Sequence, residues 1–310
     1  MKISEFIKPS HHDFNLLSTM IKRTTIITTN ENVESTITTK TKWKRKLFHY
    51  NEIPPWQRDN KFILTGYIME TKSIYECYKS LFYFHNETIN IFTHLIPSLI
   101  IPLLINYEIK GNDFIIYNLF IIGFSICLLF SSIFHTIKVH SMGVASMGSK
   151  LDYAGILILI SVSLISIIYY GLSDNPMMRS IFIYGIIILG NLALILTWNP
   201  KFKSSEWIVI RTSIFILFSF IGLLPIITIM LIYPINIAME KLSIKYIIWE
   251  GFFYLLGAFL YAFRIPEKYY IGKFDKFGNS HQIFHILVVF GGLSHYIALF
   301  KAFNYSKGIY

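Results

Sequence analysis

Five side chains could do chemistry together. His281 and His285 are four residues apart, so on a helix they share one face and can grip a single ion. Two packed or interfacial histidines would have the same spacing, and the pair alone does not separate these readings. A third imidazole, His135, ends a different apolar run at the membrane depth of the other two. Three neutral imidazoles are the ligand count of a catalytic zinc, whose fourth position stays open to a water with a pKa of about 7. Asp152 could orient that water or accept its proton, or it could cap the helix that starts beside it. Ser131 lies one turn before His135 and about 6 Å deeper, where it could join the group or bond back to its own helix. Cys77 and Cys127 are the only cysteines, so a thiolate cluster is out of reach and any metal must sit on histidine and carboxylate.

The elements that must position these groups belong to a lipid environment. Of 310 residues, 54% are hydrophobic and 15% charged, against roughly 25% charged in soluble domains. With a mean hydropathy of +0.51, 27 Phe and 20 Tyr, an ordinary water-soluble enzyme is excluded. Apolar runs cover 89–107, 114–137, 151–170, 180–198, 211–233, 246–263 and 281–300. At 1.5 Å per residue, about 20 residues cross roughly 30 Å of hydrocarbon. The breaks between runs are short, which forces neighbours to be antiparallel. The expected fold is therefore all-α, a seven-transmembrane helix bundle over 89–300 with a short outer tail at 301–310.

The formal charge of +10 would suggest nucleic acid in a soluble protein, but here it reads as topology. With the N-terminus inside, 22 Lys and Arg fall on the inner side and 6 on the outer; without the N-terminal tail the ratio is 9 to 6. The expectation is a cytosolic N-terminus, an outside C-terminus and no nucleic-acid partner. This is the reverse of the G-protein-coupled receptor arrangement, and no Asp-Arg-Tyr or Asn-Pro-x-x-Tyr stands at the matching helix ends, so no heterotrimeric G protein is expected. The same orientation brings His135, Asp152, His281 and His285 to the cytosolic face. His295, about 15 Å and roughly 80° further along its helix, reads as interfacial near the outer face. Glu250 and His140 read as solvated, and His94 and Asn90 as bonded within the bundle.

Ahead of the bundle, residues 1–47 form a polar arm whose Thr-rich stretch shows no sustained period and reads as disordered. The expectation is that no cleavable signal peptide precedes the first apolar run and that this run acts as the targeting signal. Residues 48–88 form a cytosolic juxtamembrane segment. Within it Ser73 and Glu76 make a capping-box start for a short amphipathic helix carrying Ile74, Cys77, Tyr78, Leu81 and Phe82, expected in the membrane interface.

The blocks IPPWQRDNKFILTGY (53–67), HNETINIFTHL (85–95), SSIFHTIKVHS (131–141), SKLDYAGI (149–156), RIPEKYYIGKFD (264–275) and HQIFH (281–285) resemble, in order, the progestin and adipoQ receptor family. That family includes the adiponectin receptors and their fungal relatives, and the resemblance covers about 250 residues. It implies seven helices, a cytosolic N-terminus and a Zn2+ near the cytosolic face, with His135, His281 and His285 as ligands and Ser131 and Asp152 beside the metal's water. It further implies ceramidase-like chemistry, in which a zinc-activated water attacks the amide of a membrane lipid such as ceramide; fungal relatives are linked to zinc and sterol metabolism.

Two functions follow as expectations. One is a zinc-dependent lipid amide hydrolase with Asp152 and Ser131 as catalytic residues; the other is a ligand-responsive receptor or regulator of lipid or sterol and zinc homeostasis whose zinc is structural and which has no hydrolase activity, its extracellular ligand unidentified. A zinc transporter is disfavoured, because every candidate ligand sits at one face and no polar path crosses the bilayer. The expected location is an integral, multi-pass protein of the plasma membrane or an endomembrane.

Overall fold

Hydrophobic runs of this length have to satisfy their backbone internally, and they do so as helices. In the computed structural model, which describes residues 20–27, 38–199 and 207–309, the bundle consists of α2 (Thr88–Ile100), α3 (Gly111–Ile137), α4 (Met142–Gly171), α5 (Pro176–Thr197), α6 (Ile208–Phe220), α7 (Leu223–Ile232), α9 (Ile244–Phe263) and α10 (Ser280–Ser306). Two short helices complete it: α1 (Ile74–Lys79) precedes the bundle and α8 (Ile235–Leu242) links α7 to α9. Six spans are long and apolar enough to cross a membrane, α6 and α7 together making one of them, and the seventh is the shorter Thr88–Leu104. The protein is an integral, multi-pass seven-helix bundle.

The central helices are α3, α4 and α10, which bury 50%, 56% and 44% of their apolar stretches. The stretches of α5, α6–α7 and α9 bury only 22%, 22% and 17%, leaving most of their surface for lipid. Close approach of the central helices is built into small residues. A Cβ on Gly155 of α4 would lie 3.0 Å from the Cys127 Cα of α3 and 3.3 Å from its carbonyl oxygen, backbone atoms that no side-chain rotation can clear. Gly155 is one turn past Asp152, so this contact sets the distance between the Asp152 and His135 helices.

Several boundaries differ from the hydropathy pattern for physical reasons. Span one was expected to reach 107, but Pro97 and Pro102 tighten the chain into a 3-10 turn over Ile101–Leu104 and end it there. Span five is broken: the Ile221 and Gly222 amides bond back three residues, to Phe218 and Ser219, and Pro225 has no N–H with which to continue the ladder. The third span starts at Met142, not near 151, because the polar residues before Leu151 leave the apolar run without leaving the helix.

Two stretches of the N-terminal arm are described. Met20–Ile27 (β1) pairs antiparallel with Thr38–Arg45 (β2), Met20 opposite Arg45 and Ile27 opposite Thr38, and their β-branched Thr and Ile favour extended backbone. Residues 1–19 and 28–37 of that arm lie outside the described residues.

Residues 48–70 close one end of the bundle. Ile53, Ile63 and Tyr67 make a small core with Phe48 and Tyr50. This segment is tied to the α9–α10 loop: Asp275 accepts from the Leu64 amide at 2.8 Å and the Thr65 hydroxyl at 2.7 Å, and the Gly272 amide donates to Phe62 O at 3.1 Å. Helix α1 starts where Ser73 Oγ accepts from the Glu76 amide. Of its apolar residues Cys77 is buried against Ile68 and Val139, while Ile74 and Tyr78 are exposed, as is Phe82 in the 3-10 turn that follows.

Candidate metal centre

The first turn of α10 carries two of the histidines, and its start is fixed from outside the helix. The Asn279 side chain accepts from the Gln282 amide at 3.2 Å, and the buried Glu267 carboxylate accepts from the Ser280 amide at 2.8 Å and from the Ser280 hydroxyl. Glu267 also accepts from Asn60 Nδ2 at 3.1 Å, which links the capping segment to the same turn. His281 and His285 then project one turn apart toward His135, which comes from the last turn of α3. The three ring centroids are 4.8 Å (135 to 281), 4.9 Å (135 to 285) and 4.7 Å (281 to 285) apart, a nearly equilateral set. One nitrogen from each lies within 4.8 Å of the others, so the cluster could hold a metal ion.

Hydrogen bonding decides which nitrogens face inward. His135 Nδ1 is 2.8 Å from Glu87 Oε2 and His285 Nδ1 is 3.0 Å from Asn90 O. A carboxylate and a carbonyl accept only, so both Nδ1 atoms carry the proton and both Nε2 atoms present lone pairs. His135 Nε2 is buried with no hydrogen-bond partner among the described residues. An orphaned buried acceptor beside two more imidazoles is what a divalent, nitrogen-preferring ion would satisfy.

Glu87 was not anticipated from the sequence. Its carboxylate accepts from His135 Nδ1, from Asn90 Nδ2 at 2.7 Å and from Lys138 Nζ at 2.9 Å. Burial alone would push its carboxyl up, but the Lys138 ammonium and the His135 and Lys138 hydrogen bonds outweigh it and hold it well below the usual carboxylate range. Lys138 in turn keeps its charge despite burial because Asp59 and Glu87 flank it, each at 2.9 Å. The signal was present in HNETIN: an acid at the membrane edge, at the depth of His135. A ligating histidine needs such a partner on its other nitrogen.

Ser131 and Asp152 lie together on the wall of a cavity that begins at His281 and His285. Ser125 and Ser132 of α3 bond back to Ile121 O and Leu129 O, whereas the Ser131 hydroxyl is directed at the Asp152 carboxylate. Asp152 is ten residues inside α4, whose N-cap is Ser141, which removes the capping reading. Arg211, counted with the inner-side charges, is instead buried: its guanidinium sits 4.8 Å over the Tyr153 ring and donates to the Tyr261 hydroxyl at 3.2 Å. Tyr261 meets His281 edge-on at 4.9 Å. His94 stacks on His285 at 3.8 Å with the rings 4° from parallel, and its Nε2 donates to His285 O.

Two further readings need correction. His295 and Glu250 are neither interfacial nor solvated: both are buried, 2.8 Å apart, and they bond to each other because neither could be desolvated alone. The cavity itself, ≈ 560 Å³, runs from the histidines between α4, α6–α7, α9 and α10 along apolar residues such as Leu159, Phe215, Leu255 and Val288. It combines a metal-competent cluster at one end with a slot for an apolar chain.

Residues 82–296 match the family model described as haemolysin-III related. The chain is similar to the ADIPOR-like receptor IZH2 of Saccharomyces cerevisiae, 40% identical over 84% of this chain and 85% of that protein. It is similar to the adiponectin receptor protein of Drosophila melanogaster, 36% identical over 81% of this chain and 58% of that one. Heptahelical transmembrane protein 1 of Arabidopsis thaliana is 32% identical over 84% of this chain and 82% of its own.

Proposed function

The chain belongs to the haemolysin-III-related family, on its adiponectin-receptor-like side, and from that premise we propose that it is a zinc-dependent hydrolase of a ceramide-type lipid amide. The observation that carries this reading is the convergence of ring nitrogens, a carboxylate and an apolar slot: His281 and His285, which cluster with His135, line one end of the cavity, and Asp152 lines it with them. We place this end, with the N-terminus, on the cytosolic side.

His135, His281 and His285 would hold the zinc, which when bound supplies Lewis acidity and lowers the pKa of a water to about 7. The remaining work falls to the chain. The apolar wall binds the acyl chain and keeps bulk water from the amide, which strengthens every polar contact inside. Asp152 takes the proton of the attacking water on a carboxylate oxygen and returns it to the departing amine nitrogen, so that water and amide become fatty acid and sphingoid base. Ser131 holds that carboxylate in orientation, and Glu87 and Asn90 hold His135 and His285 in the tautomers that point Nε2 inward.

A second reading is a receptor whose zinc is structural, favoured by the way Glu87, Lys138 and Asp59 tie the cluster to the capping segment. Reconstituted protein with its metal content measured separates the two. Fatty acid release from ceramide, lost in Asp152→Asn with metal and folding retained, is the outcome expected of the hydrolase. Full turnover by Asp152→Asn sinks the role of Asp152, and a zinc-loaded wild type that releases no fatty acid leaves the receptor.

A further inference from the structure

About 15 Å along α10 from His285, the same cavity meets a second set of polar groups. The His295 imidazole joins three helices there: Nδ1 is 2.8 Å from Glu250 Oε2 of α9, and Nε2 is 2.9 Å from Ser166 Oγ of α4, which itself donates to Ser163 O. The Phe120 ring, 4.4 Å away, closes the imidazole's flank. Two hydroxyls beside this network are left over. Ser163 Oγ and Tyr254 OH are both buried without a hydrogen-bond partner among the described residues, and both line the cavity. Glu250, one turn before Tyr254, lines it as well. Unmatched buried hydroxyls are destabilising, and a folded protein retains them where something else satisfies them.

We propose that Glu250, Tyr254 and Ser163 form a binding site for the hydroxyl group of a lipid alcohol occupying the far half of the cavity, separate from the histidine cluster. A hydroxyl matches the set in both directions, donating to the Glu250 carboxylate and accepting from a Ser163 or Tyr254 O–H. An anionic headgroup would meet the Glu250 charge, and an ammonium would compete with His295 for it. The body of the ligand must be apolar, because the wall between the two polar sets is Leu159, Phe215, Leu255 and Val288. A route from the bilayer exists between α7 and α9, where Leu223, Ile248 and Phe252 line the cavity and are exposed on the outside of the bundle. The site needs no metal and does not rest on the hydrolase reading.

Two membrane sources share this chemistry, a flexible chain alcohol and a rigid ring alcohol. Full-length, metal-stripped protein in detergent is tested by native mass spectrometry with 1-hexadecanol, its methyl ether, and cholesterol. At least one alcohol binds about tenfold more tightly than the ether, which cannot donate, and which alcohol does so identifies the source. Tyr254→Phe and Ser163→Ala remove hydroxyls that have no partner, so they keep the thermal midpoint while weakening the alcohol and the ether alike, because both ligand oxygens accept from these groups. His285→Ala leaves the preference intact. The proposal is overturned if neither alcohol outbinds the ether, if the Tyr254→Phe/Ser163→Ala double variant binds the alcohol as tightly as wild type, or if the preference vanishes in His285→Ala.

Discussion

Replacing Glu87 by Gln tests whether the histidine cluster is held by its outer partners. Glu87 Oε2 accepts from His135 Nδ1 and Asn90 Nδ2, and Oε1 accepts from Lys138 Nζ. A glutamine oxygen can take the place of Oε2, but its NH2 then faces the Lys138 ammonium, donor against donor. One charge-assisted hydrogen bond is lost, which costs about 1.5–3 kcal/mol, and Lys138 retains only the half-exposed Asp59. The metal-free protein is therefore expected to melt several degrees lower. The amide also polarises His135 less than the carboxylate does, and losing such a partner lowers metal affinity by about 10–100-fold. Chelator competition reads the affinity, and melts with and without zinc separate the two effects, since each tenfold in affinity is about 1.4 kcal/mol of metal-linked stability. Zinc affinity within twofold of wild type, with the metal-free melt lowered, would refute the reasoning: Glu87 would then serve the fold and not the ligand.

His85 predicts an acid limb. Its Nδ1 accepts from the Glu87 amide at 3.2 Å, and burial lowers its pKa to about 4. The unfolded chain protonates near 6.5 and the folded chain only near 4, so stability is full above 6.5 and falls by about 3 kcal/mol as pH drops through that window. His85→Asn should flatten this limb in pH-dependent melts; an unchanged slope refutes it. Gly155→Val pushes α4 off the Cys127 backbone and should destabilise by about 1–3 kcal/mol while reducing zinc retention, both read on the purified variant. Asp174→Asn removes an exposed partner 2.7 Å from Lys241 and should shift stability by less than about 1 kcal/mol, a control by thermal melt for charge changes far from the histidines.

The bundle was legible because lipid imposes length and apolarity on every span, and the three histidines because a costly residue type recurs at one depth. What hydropathy could not resolve is where a helix ends once it leaves the lipid. Helix α4 begins just after Ser141, about 15 Å before the apolar run, and that extension is why Asp152 is a wall residue and not a cap. Pairing was equally hidden. Glu250 and His295 lie 45 residues apart in sequence, and each alone read as a boundary residue; only together do they make sense inside the bundle. Arg211 shows the same failure, since a basic residue at a span edge counts toward topology until two tyrosines are found to enclose it.

Glu87 and Glu267 brace the histidine cluster from outside the apolar spans. His135 is oriented by Glu87, which lies just before α2 and is neutralised by Lys138, and Lys138 is shared with Asp59 of the capping segment. The turn that bears His281 and His285 is fixed by Glu267 of the α9–α10 loop, which the same capping segment contacts through Asn60. The two histidine-bearing helices thus present their rings with orientations referred to one polar segment. Hydrophobic packing between α3 and α10 sets their separation to a side chain's tolerance, whereas charge-assisted bonds fix ring directions more narrowly. A movement of residues 48–70 is therefore expected to reach the histidines before it reaches the core, and Asn60→Ala, which leaves both ligand helices and all three imidazoles in place, should weaken zinc retention more than it lowers the thermal midpoint.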